Sequence, residues 1–300
     1  VSTIHSLIYN PDSDDTSVGQ PTFTLDEKSY LRNADLLILD ECSMVNQEIG
    51  NDLLFFRRPI LVLGDPGQLP PISGTGFFTS RQPDAQLTEV HRQALESPII
   101  RLATEIRKGR PIPNSFNEEG LEIFSKADSK SLNTAEYCTK HDQVMCGTNK
   151  TRISVNRFMR KQLGFTDEFP MVGDKVICLR NNKDLAIFNG MMGEVTNVDD
   201  AFDLVLSIQD EEGHHRDNIP VHSECFTDPD AIKNMDWMTK KECEEFDFGY
   251  CITVHKSQGS EWDSVLLIDD GFLRWDKPQR SKWLYTAVTR AAKKLTIVRN

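Results

Sequence analysis

The chain has 300 residues, of which 38% are hydrophobic, and it carries a formal net charge of −12. This length fits two or three domains of ordinary size, each with a hydrophobic core. No apolar run approaches the roughly 20 residues that a membrane-spanning helix needs, so we expect no membrane partner.

The negative charge is concentrated in one segment. Residues 199–247 contain 15 Asp and Glu against 4 Lys and Arg, so the rest of the chain carries a net charge of only −1. A protein that grips a nucleic-acid strand needs a local basic groove and not a basic surface everywhere. The overall charge therefore does not exclude a nucleic-acid partner, and the acidic segment is most simply a solvated face.

The cysteines indicate a reducing compartment. They are odd in number, scattered and never paired as Cys-x-x-Cys, and no signal peptide is visible. We therefore expect a cytoplasmic protein. The seven cysteines are Cys42, Cys138, Cys146, Cys178, Cys225, Cys243 and Cys251.

The first 35 residues combine a short apolar stretch with a polar segment. The stretch is Thr3-Ile4-His5-Ser6-Leu7-Ile8, and the polar segment runs from residue 10 to 35. By helix-capping preference alone, Thr3 caps the helix that follows it. The only β-like piece of the polar segment is Thr22-Phe23-Thr24-Leu25.

An aliphatic run at residues 36–39 ends abruptly in Asp40 and Glu41. Such a run predicts a strand that is buried on both faces of a parallel sheet. Ligands of open α/β sheets bind at the carboxyl ends of the strands. Asp40 is therefore a candidate Mg²⁺ ligand and Glu41 a candidate base for an attacking water, as phosphoryl transfer requires. The alternative is a buried strand that merely exits into a polar turn.

A second strand of the same kind is predicted at residues 60–63. It continues directly into Gly64-Asp65-Pro66-Gly67-Gln68-Leu69-Pro70-Pro71. A helix is then predicted from residue 97 to 108, because apolar residues recur at helical spacing. Arg92, which precedes this helix, is a forked and permanently charged donor suited to phosphate, although a surface arginine is the ordinary alternative.

The middle of the chain predicts a strand, a helix and a small β region. The strand is Gln143-Val144-Met145-Cys146, and Thr148 with Asn149 begins the helix as its cap. Residues 194–246 contain short predicted strands amid acidic turns. His214, His215, His222 and Cys225 lie there, but their spacing fits no usual zinc site.

The last 50 residues predict a buried strand at 250–254, followed by His255-Lys256-Ser257-Gln258-Gly259-Ser260-Glu261. A lone histidine after a strand is more often structural than functional. A strand at 265–268, a helix at 279–292 with Tyr285 on its apolar side, and a final strand at 295–298 follow.

Several of these stretches resemble the motifs of superfamily 1 helicases. LLILDECS and LVLGDPGQLPPI look like motifs II and III, and LTEVHRQ, YCITVHKSQGSEWDSVLL and WLYTAVTRAAKKL are similar to motifs IV, V and VI. They span almost the whole chain in the family order. The branch that the chain most resembles is superfamily 1B, the RecD-like and phage Dda-like 5′→3′ DNA helicases, and the Dda-like character suggests a bacterial or phage-infected host cell.

The resemblance implies an α/β fold with two RecA-like parallel-sheet motor domains. Residues 1–86 would form the first domain, truncated at its N-terminus, with a hairpin insertion at residues 10–35. Residues 87–193 and 247–300 would form the second domain. Residues 194–246 would form an SH3-like β insertion within it.

The resemblance also implies ATP and Mg²⁺ as cofactors and assigns roles to single residues. Gln68 would sense the γ-phosphate, and Arg92 and Arg290 would act as arginine fingers beside Asp40 and Glu41. The residues that would face the nucleotide are Gly64, Asp65, Gln258, Gly259 and Glu261.

The implied macromolecular substrate is single-stranded DNA and its junctions with duplex. Phe23 would stack on the terminal base pair or, equally, pack the hairpin onto the core. The residues that would contact the sugar-phosphate backbone are Thr3, His5, Thr148, Asn149, Thr253 and His255. The resemblance further suggests a monomeric motor, with replication or repair proteins as possible partners.

The sequence departs from the family in one respect, because no GxxxxGK[ST] occurs in it. The family needs that loop to cradle the nucleotide phosphates. We interpret the chain as a fragment without the first strand, the phosphate loop and the following helix. Two rival interpretations remain: a non-catalytic module that binds single-stranded DNA, and a metal nuclease that uses Asp40, Glu41 and Asp65.

Overall fold

The computed structural model describes most of the chain. The described residues are 2–11, 23–71, 74–87, 96–130, 132, 134–182, 184–199, 204–228, 235, 240, 242–270 and 276–299, without the side chains of residues 11 and 23. Arg92 and the side chain of Phe23 therefore lie outside what the structure describes. The chain divides into two compact units, residues 1–111 with 275–286 and residues 112–274 with 287–300.

The first unit begins with a short helix and a pair of strands. Helix α1 (Ile4–Ile8) is capped by Thr3, whose side chain accepts a hydrogen bond from the Ser6 amide. Strand β1 (Tyr9–Pro11) pairs antiparallel with β2 (Phe23–Leu25), which agrees with the predicted β piece.

A parallel pair of strands forms the centre of the first unit. Strand β3 (Leu37–Leu39) pairs with β4 (Ile60–Val62), and helix α2 (Gln47–Phe55) connects them. Helix α3 (Pro98–Arg107) begins after Ser97 and ends before Lys108, within one residue of the predicted bounds. The buried residues of this unit's core are Ile8, Leu31, Leu39, Cys42, Val45, Leu53, Phe56 and Phe77.

The prediction that the strand at residues 36–39 is buried on both faces is wrong for the described chain. Leu39 is buried, but Ile38 is 61% exposed and Leu61 of the neighbouring strand is 48% exposed. Side chains alternate between the two faces of a strand, so one face of this pair packs on the core and the other stays open.

The second unit contains a six-stranded sheet in the order β13-β7-β14-β15-β6-β5. All neighbouring pairs are parallel except β5 with β6. The strand predicted at residues 143–146 is confirmed as β7, and every one of its residues is buried. The strands are β5 (Phe116–Glu118), β6 (Leu121–Phe124), β7 (Gln143–Cys146), β13 (Cys251–Thr253), β14 (Trp262–Asp269) and β15 (Ala291–Arg299).

Three helices of the second unit are α4 (Lys126–Ser129), α5 (Thr134–Lys140) and α6 (Asn149–Leu163). Helix α8 (Lys277–Val288) comes later in the chain, and its residues up to Thr286 belong to the first unit. The predicted helix at 279–292 ends too late, because Thr289 and Arg290 form a turn and Ala291 already pairs with Trp262 of β14.

A second sheet of the same unit is antiparallel, in the order β11-β10-β9-β8-β12. It includes strands on both sides of residues 194–246, and a short helix α7 (Glu224–Thr227) follows β11. The SH3-like character of this region stays a prediction. The strands are β8 (Lys175–Cys178), β9 (Met192–Asp199), β10 (Leu204–Asp210), β11 (His215–Val221) and β12 (Phe246–Phe248).

A buried ion pair fixes helix α6. The Arg160 guanidinium donates to both carboxylate oxygens of Asp174, at 2.9 and 2.8 Å, and lies 4.0 Å from the Phe248 ring centroid. Tyr250 donates a further hydrogen bond of 2.8 Å to Asp174. A buried charge pair is tolerated when further hydrogen bonds satisfy it, and this one sets the position of α6.

Among the described residues, no helix is both long enough and apolar enough to cross a membrane.

Candidate functional site

The loop after β3 places two carboxylates at the end of the strand. Asp40 is exposed, and its Oδ1 accepts a hydrogen bond of 2.8 Å from the Glu41 amide. Glu41 adopts a left-handed backbone, with φ 52° and ψ 45°. This conformation costs a non-glycine residue about 1–2 kcal/mol, and strain of this kind is concentrated at functional sites.

The loop after β4 approaches the first loop closely. A Cβ at Gly64 would lie 2.5 Å from the Cys42 sulfur and 3.0 Å from the Cys42 amide nitrogen, so only glycine fits. The Cys42 amide donates to the Leu63 carbonyl at 3.0 Å. Burial, followed by the charge of Glu41, raises the pKa of the Cys42 thiol, which therefore stays neutral. The parallel pair thus places Asp40, Glu41 and Gly64 at one edge of the sheet.

Asp65 makes several contacts within this unit. Its Oδ1 accepts from the Gly67 amide at 2.8 Å, and its Oδ2 accepts from the Tyr285 hydroxyl at 2.5 Å. The Arg107 guanidinium lies 3.3 Å from Oδ1. The sequence pattern predicts Tyr285 only as an apolar helix position, and it gives no role to Arg107. Their partner lies far away in sequence, so no local pattern signals these contacts.

Gln68 is buried, 9% exposed, and its Oε1 has no hydrogen-bond partner among the described residues. The Ser43 hydroxyl, two residues after Glu41, is also buried without a partner there. Buried polar atoms are normally satisfied, so two unsatisfied ones in these loops fit a site that binds a polar ligand. The exposed carboxylate of Asp40 is the hard oxygen donor that Mg²⁺ prefers, so the residues present fit a magnesium nucleotide.

In the second unit, Thr148 caps helix α6 and bonds to Asp270. Its hydroxyl accepts from the Thr151 amide at 3.2 Å and lies 2.9 Å from Asp270 Oδ2. The same carboxylate accepts from the amides of Gly147 and Thr148, at 3.0 and 3.1 Å. Asn149 is exposed, and its side chain accepts from Arg152 Nε. Thr148 is therefore the helix cap, whereas Asn149 is the first residue of the helix and its side chain bonds to another side chain instead of capping the helix.

A cavity of about 570 Å³ adjoins this cap. It lies at the edge where β7, β14 and β15 end, and Thr148, Lys150, Asp270 and Arg299 contribute to its lining. The carboxyl end of a parallel sheet is the usual place for a ligand.

The segment after β13 is a compact turn. The amides of Lys256 and Ser257 donate to the Thr253 carbonyl at 2.9 and 3.1 Å. His255 is partly buried, and burial lowers its pKa, so it is neutral near pH 7. Gly259 has a φ of 83°, which favours glycine.

The remaining residues predicted to face the nucleotide lie around this turn. Gln258 is partly buried and Glu261 is exposed. Arg290 is buried, and its guanidinium donates to the Ser260 carbonyl at 2.9 Å and to the Thr289 hydroxyl at 3.2 Å. The structure thus brings Arg290 to the loop that contains Gln258, Gly259 and Glu261.

Within the described part of the chain, no three His, Cys, Asp or Glu side chains are grouped so that they could hold a metal ion. Burial raises the pKa of the Cys225 thiol to about 12. Neither a zinc site nor a nuclease site of three carboxylates finds support in these residues.

Comparison with known proteins agrees with this geometry. A model described as the UvrD-like helicase C-terminal domain matches residues 248–298, and a model described as an AAA domain matches residues 1–129. The ATP-dependent RecD2 DNA helicase of Deinococcus radiodurans is 28% identical over 279 residues, covering 86% of this chain and 35% of that protein. The ATP-dependent DNA helicase dda of phage T4 is 28% identical over 197 residues, covering 59% of this chain and 44% of that protein. The chain therefore spans less than half the length of either relative.

Two solved structures share the fold. The Pif1 helicase from Bacteroides, in complex with ADP-AlF3 and ssDNA, has a TM-score of 0.59 at 18% identity and covers 99% of this chain and 78% of that one. The Pif1 helicase from Candida albicans has a TM-score of 0.53 at 16% identity, with 89% and 72% covered.

These likenesses define an α/β protein with the RecA-like helicase fold. Within that class, the sequence is similar to the RecD2 and dda DNA helicases, over 86% and 59% of its length.

Proposed function

We propose that the protein carrying this chain is an ATP-dependent DNA helicase that translocates on single-stranded DNA in the 5′→3′ direction. One observation carries the proposal. At the edge of the β3–β4 pair, the exposed Asp40 and the strained Glu41 lie in the loop next to that of the buried Gln68, whose Oε1 has no partner among the described residues. Transfer of a phosphoryl group to water is catalysed mainly by positioning the reactants and stabilising charge. Polar side chains at the end of a strand, with atoms available to a ligand, can do both. The names of the two relatives, ATP-dependent DNA helicases, support the same conclusion.

In this proposal each residue of the first unit has one task. Asp40 holds the Mg²⁺ that accompanies the nucleotide, which neutralises charge on the phosphates when bound. Glu41 accepts a proton from the attacking water. Gln68 hydrogen-bonds the water or a γ-phosphate oxygen. Gly64 lets the two loops approach each other, and Asp65 fixes the turn that contains Gln68.

Further roles in nucleotide binding and hydrolysis are proposed for two arginines and for three residues of the second unit. Arg290 and Arg92 stabilise the charge that develops at the γ-phosphate, and Gln258, Gly259 and Glu261 face the nucleotide. Arginines in this role contribute roughly 10³ to 10⁵ in rate.

The DNA contacts are proposed for residues that follow strands or begin helices. The candidates at the backbone are Thr3, His5, Thr148, Asn149, Thr253 and His255. Phosphate contacts give affinity and register without sequence information, which suits a motor that moves along any strand. Phe23 is proposed to stack at the junction where the duplex opens.

The test is steady-state phosphate release by the natural full-length protein, with and without a single-stranded oligonucleotide. The proposal expects ATP hydrolysis that the oligonucleotide stimulates, and strand separation of a duplex with a 5′ overhang but not of one with a 3′ overhang. Oligonucleotide binding without any hydrolysis would instead favour the non-catalytic binding module. Equal activity on both overhangs would contradict the proposed polarity.

A further inference from the structure

Two local hydrogen bonds shape the loop that contains Gln68. We call residues 64–70 the Gln68 loop. Within it, Asp65 Oδ1 accepts from the Gly67 amide at 2.8 Å, and the Gln68 amide donates to the Asp65 carbonyl at 3.1 Å. These two bonds close a tight turn, but they do not fix that turn against the rest of the unit.

Tyr285 of helix α8 holds the first half of the loop. Its hydroxyl donates to Asp65 Oδ2 at 2.5 Å. Its ring packs on the backbone of Gly67, because a Cβ there would lie 3.2 Å from ring atom Cε1. Burial and the bond to Asp65 raise the pKa of Tyr285 to about 12, so the hydroxyl remains a donor at any working pH. Arg107 flanks the pair, 5.8 Å from the ring centroid.

Thr286, the next residue, holds the second half. Its Oγ1 accepts from the Leu69 amide at 2.9 Å. Thr286 is fully buried and Leu69 is 3% exposed, so water cannot replace this bond if the hydroxyl is removed. Two consecutive residues of one helix therefore bond to the loop on either side of Gln68, at Asp65 three residues before it and at Leu69 directly after it.

We propose that Tyr285 and Thr286 are positioning residues that hold the Gln68 loop, and through it the Gln68 side chain, in the geometry needed for hydrolysis. The inference rests on the proposed function, since it takes Gln68 as the residue that senses the γ-phosphate. Neither residue touches the nucleotide in this account. Both act through the backbone that carries Gln68.

The test uses variants of the natural full-length protein that change one hydroxyl each. Tyr285→Phe keeps the ring on Gly67 and removes the bond to Asp65, and Thr286→Val keeps the volume and removes the bond to Leu69. Tyr9→Phe is the matched control. It breaks another Tyr–Asp hydrogen bond of the same unit, from Tyr9 to Asp52, which lies outside the proposed machinery.

Two measurements separate positioning from mere stability. Amide hydrogen exchange of a peptide covering residues 64–70 should become faster in Tyr285→Phe and in Thr286→Val, and unchanged in Tyr9→Phe. The kcat for basal ATP hydrolysis should fall about tenfold in the first two variants, as expected for one lost hydrogen bond, while KM for ATP changes less than about twofold. Tyr9→Phe should have an unchanged kcat even if its melting temperature is lower.

The possible outcomes distinguish failure of the positioning role from failure of the proposed ATPase function. Unchanged exchange of the loop in both variants overturns the inference, because the bonds then do not hold the loop. Faster exchange with an unchanged kcat overturns it as well, because the loop geometry is then irrelevant to hydrolysis. An unsubstituted protein without ATPase activity refutes the proposed function, while the exchange experiment still reports whether the helix holds the loop.

Discussion

Two sets of loops that follow strands differ in whether their polar groups are hydrogen-bonded within the protein. After β3 and β4, Asp40 is exposed and the Gln68 Oε1 is buried without a partner among the described residues. After β7 and β14, the amides of Gly147 and Thr148 and the Thr148 hydroxyl all bond to Asp270. The first set leaves these groups available to the proposed nucleotide, whereas in the second set the carboxylate of Asp270 already lies where a DNA phosphate is proposed to bind.

The apolar residues show the same contrast. The strand β7 is buried throughout, and Leu266 of its neighbour β14 is 2% exposed. Leu61 in β4 is 48% exposed. An aliphatic run therefore predicts a strand reliably, but the packing partners on each face decide how much stability it contributes.

The largest expected effect in free energy comes from this contrast in burial. Leu266→Ala should lower the free energy of unfolding by about 2–5 kcal/mol, the usual cost of a core cavity. Leu61→Ala should cost less than about 1 kcal/mol, because half of that side chain is already in water. Urea unfolding of the 300-residue chain measures both changes. Equal losses would show that the open face of the β3–β4 pair is covered in solution.

A smaller effect is expected from the internal anion. Asp270→Asn keeps the size of the side chain but removes its charge from the proposed phosphate contact, so affinity for a labelled single-stranded oligonucleotide should rise about fivefold at low salt. The helix should be weakened by about 0.3–1 kcal/mol, because a carboxylate at its N-terminus is stabilising. Fluorescence anisotropy and thermal unfolding measure the two effects.

Asp263→Asn is the matched control for the internal anion. It removes an exposed carboxylate from β14 that pairs with Lys293. If both substitutions raise affinity equally, the gain reflects net charge alone, and Asp270 does not compete with phosphate at Thr148.

The smallest effect concerns the strained backbone of Glu41. Glu41→Gly should raise the free energy of unfolding by about 0.5 kcal/mol, because glycine adopts a positive φ without strain. Glu41→Gln keeps the strain and should leave stability unchanged. Lower stability of the glycine variant in urea unfolding would mean that the glutamate side chain makes a stabilising contact in solution.

The sequence predicts those features that depend on neighbours along the chain. The bounds of α3 follow from the helical spacing of its apolar residues, and β7 follows from three consecutive apolar residues, Val144, Met145 and Cys146. The end of α8 was predicted too late, because pairing of Ala291 with β14 overrides the helical pattern.

Contacts between segments that are far apart in the sequence could not be predicted from the pattern of neighbouring residues. Tyr285 and Asp65 are 220 residues apart, and Thr148 and Asp270 are 122 apart. Nothing local to Tyr285 distinguishes an apolar helix position from a hydroxyl that bonds to a loop. The motifs did indicate which loops matter, but the partners of each side chain depend on the packing of the whole unit.

The proposed role of Glu41 as general base is tested most directly by steady-state phosphate release from Glu41→Gln in the natural full-length protein. The account predicts a fall of about 10²-fold or more, with nucleotide binding retained, since the substitution removes a base and not a binding contact. Glu48→Gln, an exposed glutamate on α2, should leave the rate unchanged. Hydrolysis by Glu41→Gln at the unsubstituted rate would contradict the account, because the edge of the β3–β4 pair would then not be where water is activated.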